Sequence, residues 1–343
     1  MQDVTVQKSA QAATKTAPFG TVFSEKMPIA RFADGRWSAV DVIPVTSLSL
    51  HPGAHVLHYS STCFEGLKAF RMPDGSTRIF RLDRHVARFR RSAELLCLPV
   101  PPAEMLEQMV RQVVALSEKD VPPPPGALYL RPTLIGTEPN IGAAGTPPAE
   151  ALLYVLASPV GDYFTGGGSK GVRILIEDKE MRTTPGFGLA KTGGNYAAAL
   201  RHVANAKKQY NADQVLFCPG GDVQETGASN FFLLDNKRLL TKPLDSSFLH
   251  GVTRDSVITL ARSLGYEVIE RNFTVDEIKD WIRTGEAALS GTAAVLTGVG
   301  TFIHEGKEYP VGDGNVGPNT QRLRQALVAI QTGEAEDRFG WLS

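Results

Sequence analysis

Between residues 158 and 168 the chain reads Ser-Pro-Val-Gly-Asp-Tyr-Phe-Thr-Gly-Gly-Gly, and on either side of this break the patterning of a packed domain resumes. A glycine-rich run of this kind can join two separately cored halves. The length of 343 residues points the same way, because a single core seldom grows beyond about 250–300 residues. The expected organisation is a mobile tail over residues 1–17, a smaller α/β domain over 18–157, a linker over 158–168 and a larger domain over 169–343.

In the first half, the turn Met72-Pro73-Asp74-Gly75 lies between two extended runs and predicts a hairpin with a strand over 78–81. Val86, Phe89, Ala93 and Leu96 recur at helical spacing over 83–97. Met105, Leu106, Met109, Val110 and Val113 share one face of a second helix over 102–119, stopped by the prolines that follow. Strands are expected over 127–133 and 151–157, with a surface loop over 136–148. The second half offers strands over 172–176 and 214–218, and a hairpin pairing 229–234 with 238–241. Helices over 196–210, 252–264 and 274–284 alternate with strands over 266–271 and 287–289. The mixture is α/β or α+β, and strand order is not readable from it.

Thirty-six basic residues balance thirty-six acidic ones, so the basic excess of a dedicated nucleic-acid binder is missing. No apolar run approaches the ~18–20 residues of a membrane helix. The N-terminal stretch carries neither the apolar core of a secretory signal nor the arginines of a mitochondrial transit peptide, and the expected location is the cytoplasm. Cys63, Cys97 and Cys218 are far apart and lack metal-ligand spacing, so neither a disulfide framework nor a metal site is expected.

The segment most suggestive of chemistry is Gly186-Phe187-Gly188-Leu189-Ala190-Lys191-Thr192-Gly193-Gly194-Asn195-Tyr196. Glycines let a backbone crowd against a bound group, and a partly desolvated lysine becomes a free amine able to attack an aldehyde. Composition alone favours a surface lysine in a flexible loop. A phosphate-binding or nucleotide-binding loop is a third reading, although the Gly-x-x-x-x-Gly-Lys-Ser/Thr spacing is absent. Glu225, after Pro219-Gly220-Gly221-Asp222, reads by itself as a turn carboxylate.

Several stretches, taken together and in order, resemble branched-chain amino acid aminotransferases. They are Leu57-His58-Tyr59, Cys63-Phe64-Glu65-Gly66-Leu67-Lys68-Ala69-Phe70-Arg71, Arg91-Ser92-Ala93, Leu130-Arg131-Pro132-Thr133-Leu134-Ile135-Gly136-Thr137-Glu138-Pro139, the Lys191 motif and Ser290-Gly291-Thr292-Ala293. The resemblance runs from about Phe19 to near the C-terminus. It implies pyridoxal-phosphate fold type IV, with two domains, the cofactor at their interface in the larger, cofactor-binding one, and a homodimer. The implied reaction moves an amino group reversibly between leucine, isoleucine or valine and 2-oxoglutarate, through 2-keto acids. D-amino acid aminotransferase and aminodeoxychorismate lyase share that fold and stand as alternatives.

On this resemblance Lys191 forms the Schiff base with pyridoxal 5'-phosphate and moves the α-proton. Tyr196 hydrogen-bonds the ring hydroxyl oxygen, and Glu225 pairs with the pyridine nitrogen. Arg88, Val252, Thr253 and Thr292 hold the phosphate, the backbone N–H groups of Val252 and Thr253 lying at a helix start suited to an anion. Phe19, Tyr59, Phe64, Tyr129, Arg131, Thr292 and Ala293 line the substrate side, with Tyr129 and Arg131 reaching in from the partner subunit. Phe19 and Phe64 read equally as core. An apolar pocket separates leucine, isoleucine and valine weakly, since one methylene is worth roughly 1–3 kcal/mol. One departure is plain: where mammalian relatives carry a Cys-x-x-Cys redox pair, this chain has Ala294 and Thr297. A second is Ala143, smaller than the branched residue some relatives place there.

Overall fold

Pro28 and Arg31 interrupt the alternation of Lys26–Ala33, so its periodicity does not announce a strand, yet Met27, Ile29 and Ala30 are buried there and the segment forms β1. The computed structural model describes residues 18–161 and 170–343. After β1 come β2 (Arg36–Trp37), β3 (Asp41–Pro44), α1 (His55–Tyr59), β4 (Thr62–Phe64), β5 (Leu67–Arg71) and β6 (Thr77–Ile79). Then follow α2 (Leu82–Leu95), α3 (Ala103–Leu116), β7 (Ala127–Gly136) and β8 (Ala151–Val160). The strands make one eight-stranded sheet in the order β2-β1-β8-β7-β5-β6, with β3 added to β1 and β4 to β7. All its pairings are antiparallel.

The apolar faces read from helical spacing are buried except at Leu96 and Met105, which are partly exposed against the same core. Leu82, Val86, Phe89 and Ala93 of α2, and Leu106, Met109, Val110 and Val113 of α3, join Leu128, Leu130, Leu153 and Val155 of the sheet in one core. A fully buried side chain of this size contributes about 1.5–3 kcal/mol through its area alone. The expected hairpin is present between β5 and β6, and Gly75 takes the φ of +82° that its turn requires.

The second unit contains β9 (Val172–Glu177), α4 (Gly193–Tyr210), β10 (Gln214–Phe217), β11 (Asn230–Leu234), β12 (Arg238–Thr241) and α5 (Val252–Ser263). It continues through β13 (Glu267–Glu270), α6 (Val275–Trp281), β14 (Glu286–Gly291), β15 (Val295–His304), β16 (Lys307–Pro310) and α7 (Pro318–Gln331). Its sheet runs β10-β9-β15-β14-β11-β12-β13, with β16 on β15. Helices α4 and α5 are the crossovers that let β9 pair β10, and β12 pair β13, in parallel. Phe231, Phe273, Phe302 and Leu289 lie in its main core.

The chain order departs from the expected division at both edges. Ser158–Val160, assigned above to a linker, are the last rungs of β8, held opposite residues 127–129 of β7. Residues 162–168 of that expected linker, and the tail over 1–17, lie outside the described residues. The expected larger domain also loses its end, because Gln331–Ser343 clusters with the first unit and the second runs only to Ile330. The physical reason is edge pairing: Ile79 and Ser343 exchange backbone hydrogen bonds of 2.9 and 3.0 Å, and Arg81 N–H donates to Trp341 O at 2.7 Å. The Trp341 ring then stacks edge-on against Phe80 at 5.7 Å.

Candidate active site

In the second unit, the glycines before Lys191 do have a spatial task. A Cβ on Gly188 would lie 2.3 Å from the carbonyl carbon of Ser247, so only glycine lets the two segments run in contact. Asn195, in the first turn of α4, donates its amide to Phe187 O at 3.0 Å and to Ala190 O at 2.9 Å, which ties the loop to the helix behind Lys191. Tyr196 follows on the same turn. Its hydroxyl lies 2.8 Å from Lys191 Nζ. Burial works to raise the Tyr196 phenol, but the charge and hydrogen bond of Lys191, helped by Arg182 and opposed by Glu225, leave it lowered from its ordinary value.

Glu225 is a buried carboxylate and not an exposed turn residue. Leu249 N–H donates to its Oε1 at 2.9 Å, Asn230 Nδ2 donates to its Oε2 at 3.2 Å, and Arg182 Nη1 sits 2.8 Å from Oε1. Asn230 also donates to Leu249 O at 2.8 Å, so one side chain fastens the Glu225 loop to the strand of chain that leads into α5. That lead ends at Gly251, the N-cap of α5, followed by Val252 and Thr253 in the first turn, both buried. The unpaired N–H groups of such a turn favour an anion. Thr292 and Ala293 lie half-buried in the tight turn joining β14 to β15, where Gly291 pairs with Val295. The side-chain oxygens of Ser290 and Thr297, flanking this turn, are buried with no hydrogen-bond partner among the described residues.

In the first unit, Arg88 on α2 is gripped by Glu65: Nε to Oε1 at 2.6 Å and Nη2 to Oε2 at 2.8 Å. His85, one turn earlier, meets Glu65 Oε2 through Nδ1 at 2.7 Å. Burial works to raise the Glu65 carboxyl, but the charges and hydrogen bonds of Arg88 and His85 hold it well below the usual carboxylate range. The guanidinium plane of Arg88 is therefore set by the Phe64-Glu65-Gly66 stretch of the sequence motif. Phe19, Phe64, Tyr129 and Arg131 come together as one cluster. Arg131 lies over the Phe64 ring at 4.7 Å and donates Nη2 to Tyr129 Oη at 3.0 Å, while Phe19 packs edge-on against Tyr129 at 4.9 Å. Arg131 Nε is buried without a hydrogen-bond partner among the described residues. Tyr59 ends α1, and its hydroxyl is committed to the carbonyl of Ile141. Ala143 is buried in the same loop, its carbonyl 3.2 Å from His55 Nε2.

Arg182 and Asn230 belong to this constellation and are not marked by any motif. Arg182 sits in Asp-Lys-Glu-Met-Arg-Thr-Thr-Pro, a composition that reads as solvent-exposed. The one available sequence signal for Asn230 is its position five residues after Glu225. As a donor set, an amine, a phenol, a buried carboxylate and a helix start suit a phosphorylated pyridine aldehyde, which needs one of each.

Comparison with known proteins gives an independent reading. Residues 62–301 match the family model "Amino-transferase class IV". A probable branched-chain-amino-acid aminotransferase of Streptomyces coelicolor is 41% identical over 94% of this chain and 91% of its own. Branched-chain-amino-acid transaminase 1 of Bacillus subtilis is 36% identical over 94% and 92%. Among solved structures, the Escherichia coli branched-chain amino acid aminotransferase superposes with a TM-score of 0.76 at 27% identity, covering 93% of this chain and 99% of that one. A "T.th." branched-chain amino acid aminotransferase solved with pyridoxamine 5'-phosphate gives 0.75 at 29% identity, covering 92% and 97%. No helix among the described residues is long and apolar enough to cross a membrane.

Proposed function

The chain belongs to the class IV aminotransferase family, and on that premise we propose that it transfers amino groups between leucine, isoleucine or valine and 2-oxoglutarate. The observation that carries the site assignment is the 2.8 Å contact of Lys191 Nζ with Tyr196 Oη, set in the same unit as the buried Glu225 carboxylate. When bound, pyridoxal phosphate would supply an electrophilic carbonyl and a ring that takes up the electron pair left behind when an α-proton departs.

The rest is the work of this chain's residues. Lys191 would take the proton from the substrate α-carbon as a neutral base and, as the acid so formed, deliver it to the carbon that was the cofactor's carbonyl carbon. Tyr196 orients the Lys191 amine and donates to the ring hydroxyl oxygen. Glu225, ionised and locked by Leu249 and Asn230, holds a proton on the pyridine nitrogen. The N–H groups of Val252 and Thr253 and the Thr253 and Thr292 hydroxyls bind the phosphate, and the backbone at Thr292 and Ala293 holds the substrate carboxylate. In the first unit, the fixed guanidinium of Arg88 is a further phosphate cation. Arg131, beside Tyr129 and Phe64, supplies the positive charge on the substrate side. Phe19 and Phe64 supply apolar wall. The reading includes a homodimer, on the strength of the sequence resemblance.

The test is an absorbance spectrum of the purified protein with pyridoxal phosphate, before and after leucine, beside a Lys191→Ala variant. A visible band that leucine bleaches, and that the variant does not form through its lysine, is the expected result. A protein that stays colourless with pyridoxal phosphate would overturn the assignment and restore the phosphate-loop reading. A band that ignores leucine but responds to D-alanine would move the substrate to D-amino acids.

A further inference from the structure

Arg182 is 2% exposed, which is costly for a guanidinium unless its charge is matched. Its Nε donates to Gly227 O at 3.2 Å and its Nη1 lies 2.8 Å from Glu225 Oε1, close enough for an ion pair though not in line for a hydrogen bond. Its Cζ stands 5.5 Å from the centroid of the Tyr196 ring, whose hydroxyl reaches Lys191. One buried cation thus touches, on two sides, the residues that the proposed function assigns to the pyridine nitrogen and to the ring hydroxyl oxygen.

We propose that Arg182 is a positioning residue that couples those two ends: it keeps Glu225 ionised, holds the Tyr196 ring in place, and makes the Tyr196 hydroxyl a stronger proton donor. The inference deepens the proposed function and rests on it for its meaning, but the electrostatic coupling exists in the protein alone. Of the charged groups that act on Tyr196, Lys191 and Arg182 lower the phenol and Glu225 raises it. Removing Arg182 takes away one of the charges that oppose Glu225. A buried carboxylate that loses a neighbouring cation becomes a stronger base at the low dielectric of its site, and Glu225 is placed to respond in that sense. Deletion of Arg182 therefore moves both ends of the site in the same direction, towards holding protons more tightly.

The experiment reads Tyr196 directly in protein freed of pyridoxal phosphate. Tyrosine side chains carrying 13C at Cζ are followed by NMR from pH 7 to 11, with a Tyr196→Phe variant to assign the resonance. In Arg182→Met the Tyr196 acid constant should fall about tenfold, one pH unit upward in its midpoint, and Arg182→Lys should recover part of the shift. In protein loaded with pyridoxal phosphate, the pH at which the visible band changes should move in the same sense. A Tyr196 midpoint equal in Arg182→Met and the natural chain would overturn the proposal.

Arg182→Met takes the Arg182 charge away from a buried carboxylate and risks misfolding. The same comparison is then made in Glu225→Gln, with and without Arg182→Met, so that the protein lacking Arg182 also lacks the carboxylate. The upward shift should persist between those two proteins, and identical midpoints would sink the coupling as surely as in the single variant. A chain that never binds pyridoxal phosphate would refute the proposed function while leaving the Tyr196 titration to decide the role of Arg182.

Discussion

Gly251→Ala tests the packing that joins the Glu225 loop to the start of α5. The backbone there, at φ −68° and ψ 128°, suits alanine as well as glycine. Lower entropy of the unfolded chain would by itself stabilise the variant by about 0.4–1 kcal/mol. Sterics oppose this: the new Cβ would stand 2.0 Å from Asn230 Oδ1 and 3.2 Å from Asn230 Cγ and Arg254 Cβ. Asn230 cannot yield without loosening its bonds to Glu225 and Leu249 O. Overpacking costs about 1–3 kcal/mol, and each weakened hydrogen bond about 0.5–1.5, more where the acceptor is charged. The clash wins, and the net loss should be about 2–4 kcal/mol. Urea unfolding of the protein without cofactor measures it, and a double variant with Asn230→Ala locates it. Because the second change removes the obstructing atom, the double variant should be hardly less stable than Asn230→Ala alone. A Gly251→Ala midpoint at or above that of the natural chain would refute the argument, as would simple additivity in the pair.

Two other perturbations follow from the buried charges. The folded Glu65 carboxyl lies below its ordinary value of 4.5. Its contribution is therefore present in full above that pH and lost progressively as pH falls below it. Urea midpoints measured from pH 7 down to pH 3 should fall, and Glu65→Gln should lower the neutral value and flatten the acid slope; an unchanged slope would contradict the Glu65–Arg88–His85 geometry. Lys242, buried, bridges Asp222 at 2.6 Å and Asp245 at 3.1 Å, and so ties the approach to Glu225 to the approach to Gly251. Since both partners are partly exposed, Lys242→Met should cost about 2 kcal/mol and not the ~3–5 of a fully buried pair, read as a lower denaturant midpoint.

Helices were legible where burial follows a single period. Val86, Phe89 and Ala93 mark the core face of α2, and Met109, Val110 and Val113 that of α3, because each helix lays one stripe on one sheet. Strand β15 was not legible for a physical reason: it is central in its sheet and carries Gly298 and Gly300, residues that weaken a strand pattern. The structure supplies the cause, since a Cβ on Gly300 would lie 2.4 Å from Gly314 O. The misplaced C-terminal segment is a similar case. Ser343 and Trp341 pair with Ile79 and Arg81 through backbone groups, which every residue has, so no side-chain pattern reports the partner.

The site divides along the same line. Lys191 and Tyr196 stand in a motif whose neighbours do local work: Gly188 admits a crossing segment and Asn195 ties down the loop. Arg88 comes from the resemblance alone, and nothing local says that Glu65, its partner, will be a buried carboxylate. Arg182 shows the limit most clearly. Its partners Glu225, Gly227 and Tyr196 come from two later segments, and its own neighbours Lys179 and Glu180 are exposed. What identifies it is the cost of burying its charge. That cost is a property of the folded surroundings, so a residue that sets the charge of a site can be silent in a sequence that names every group it acts upon.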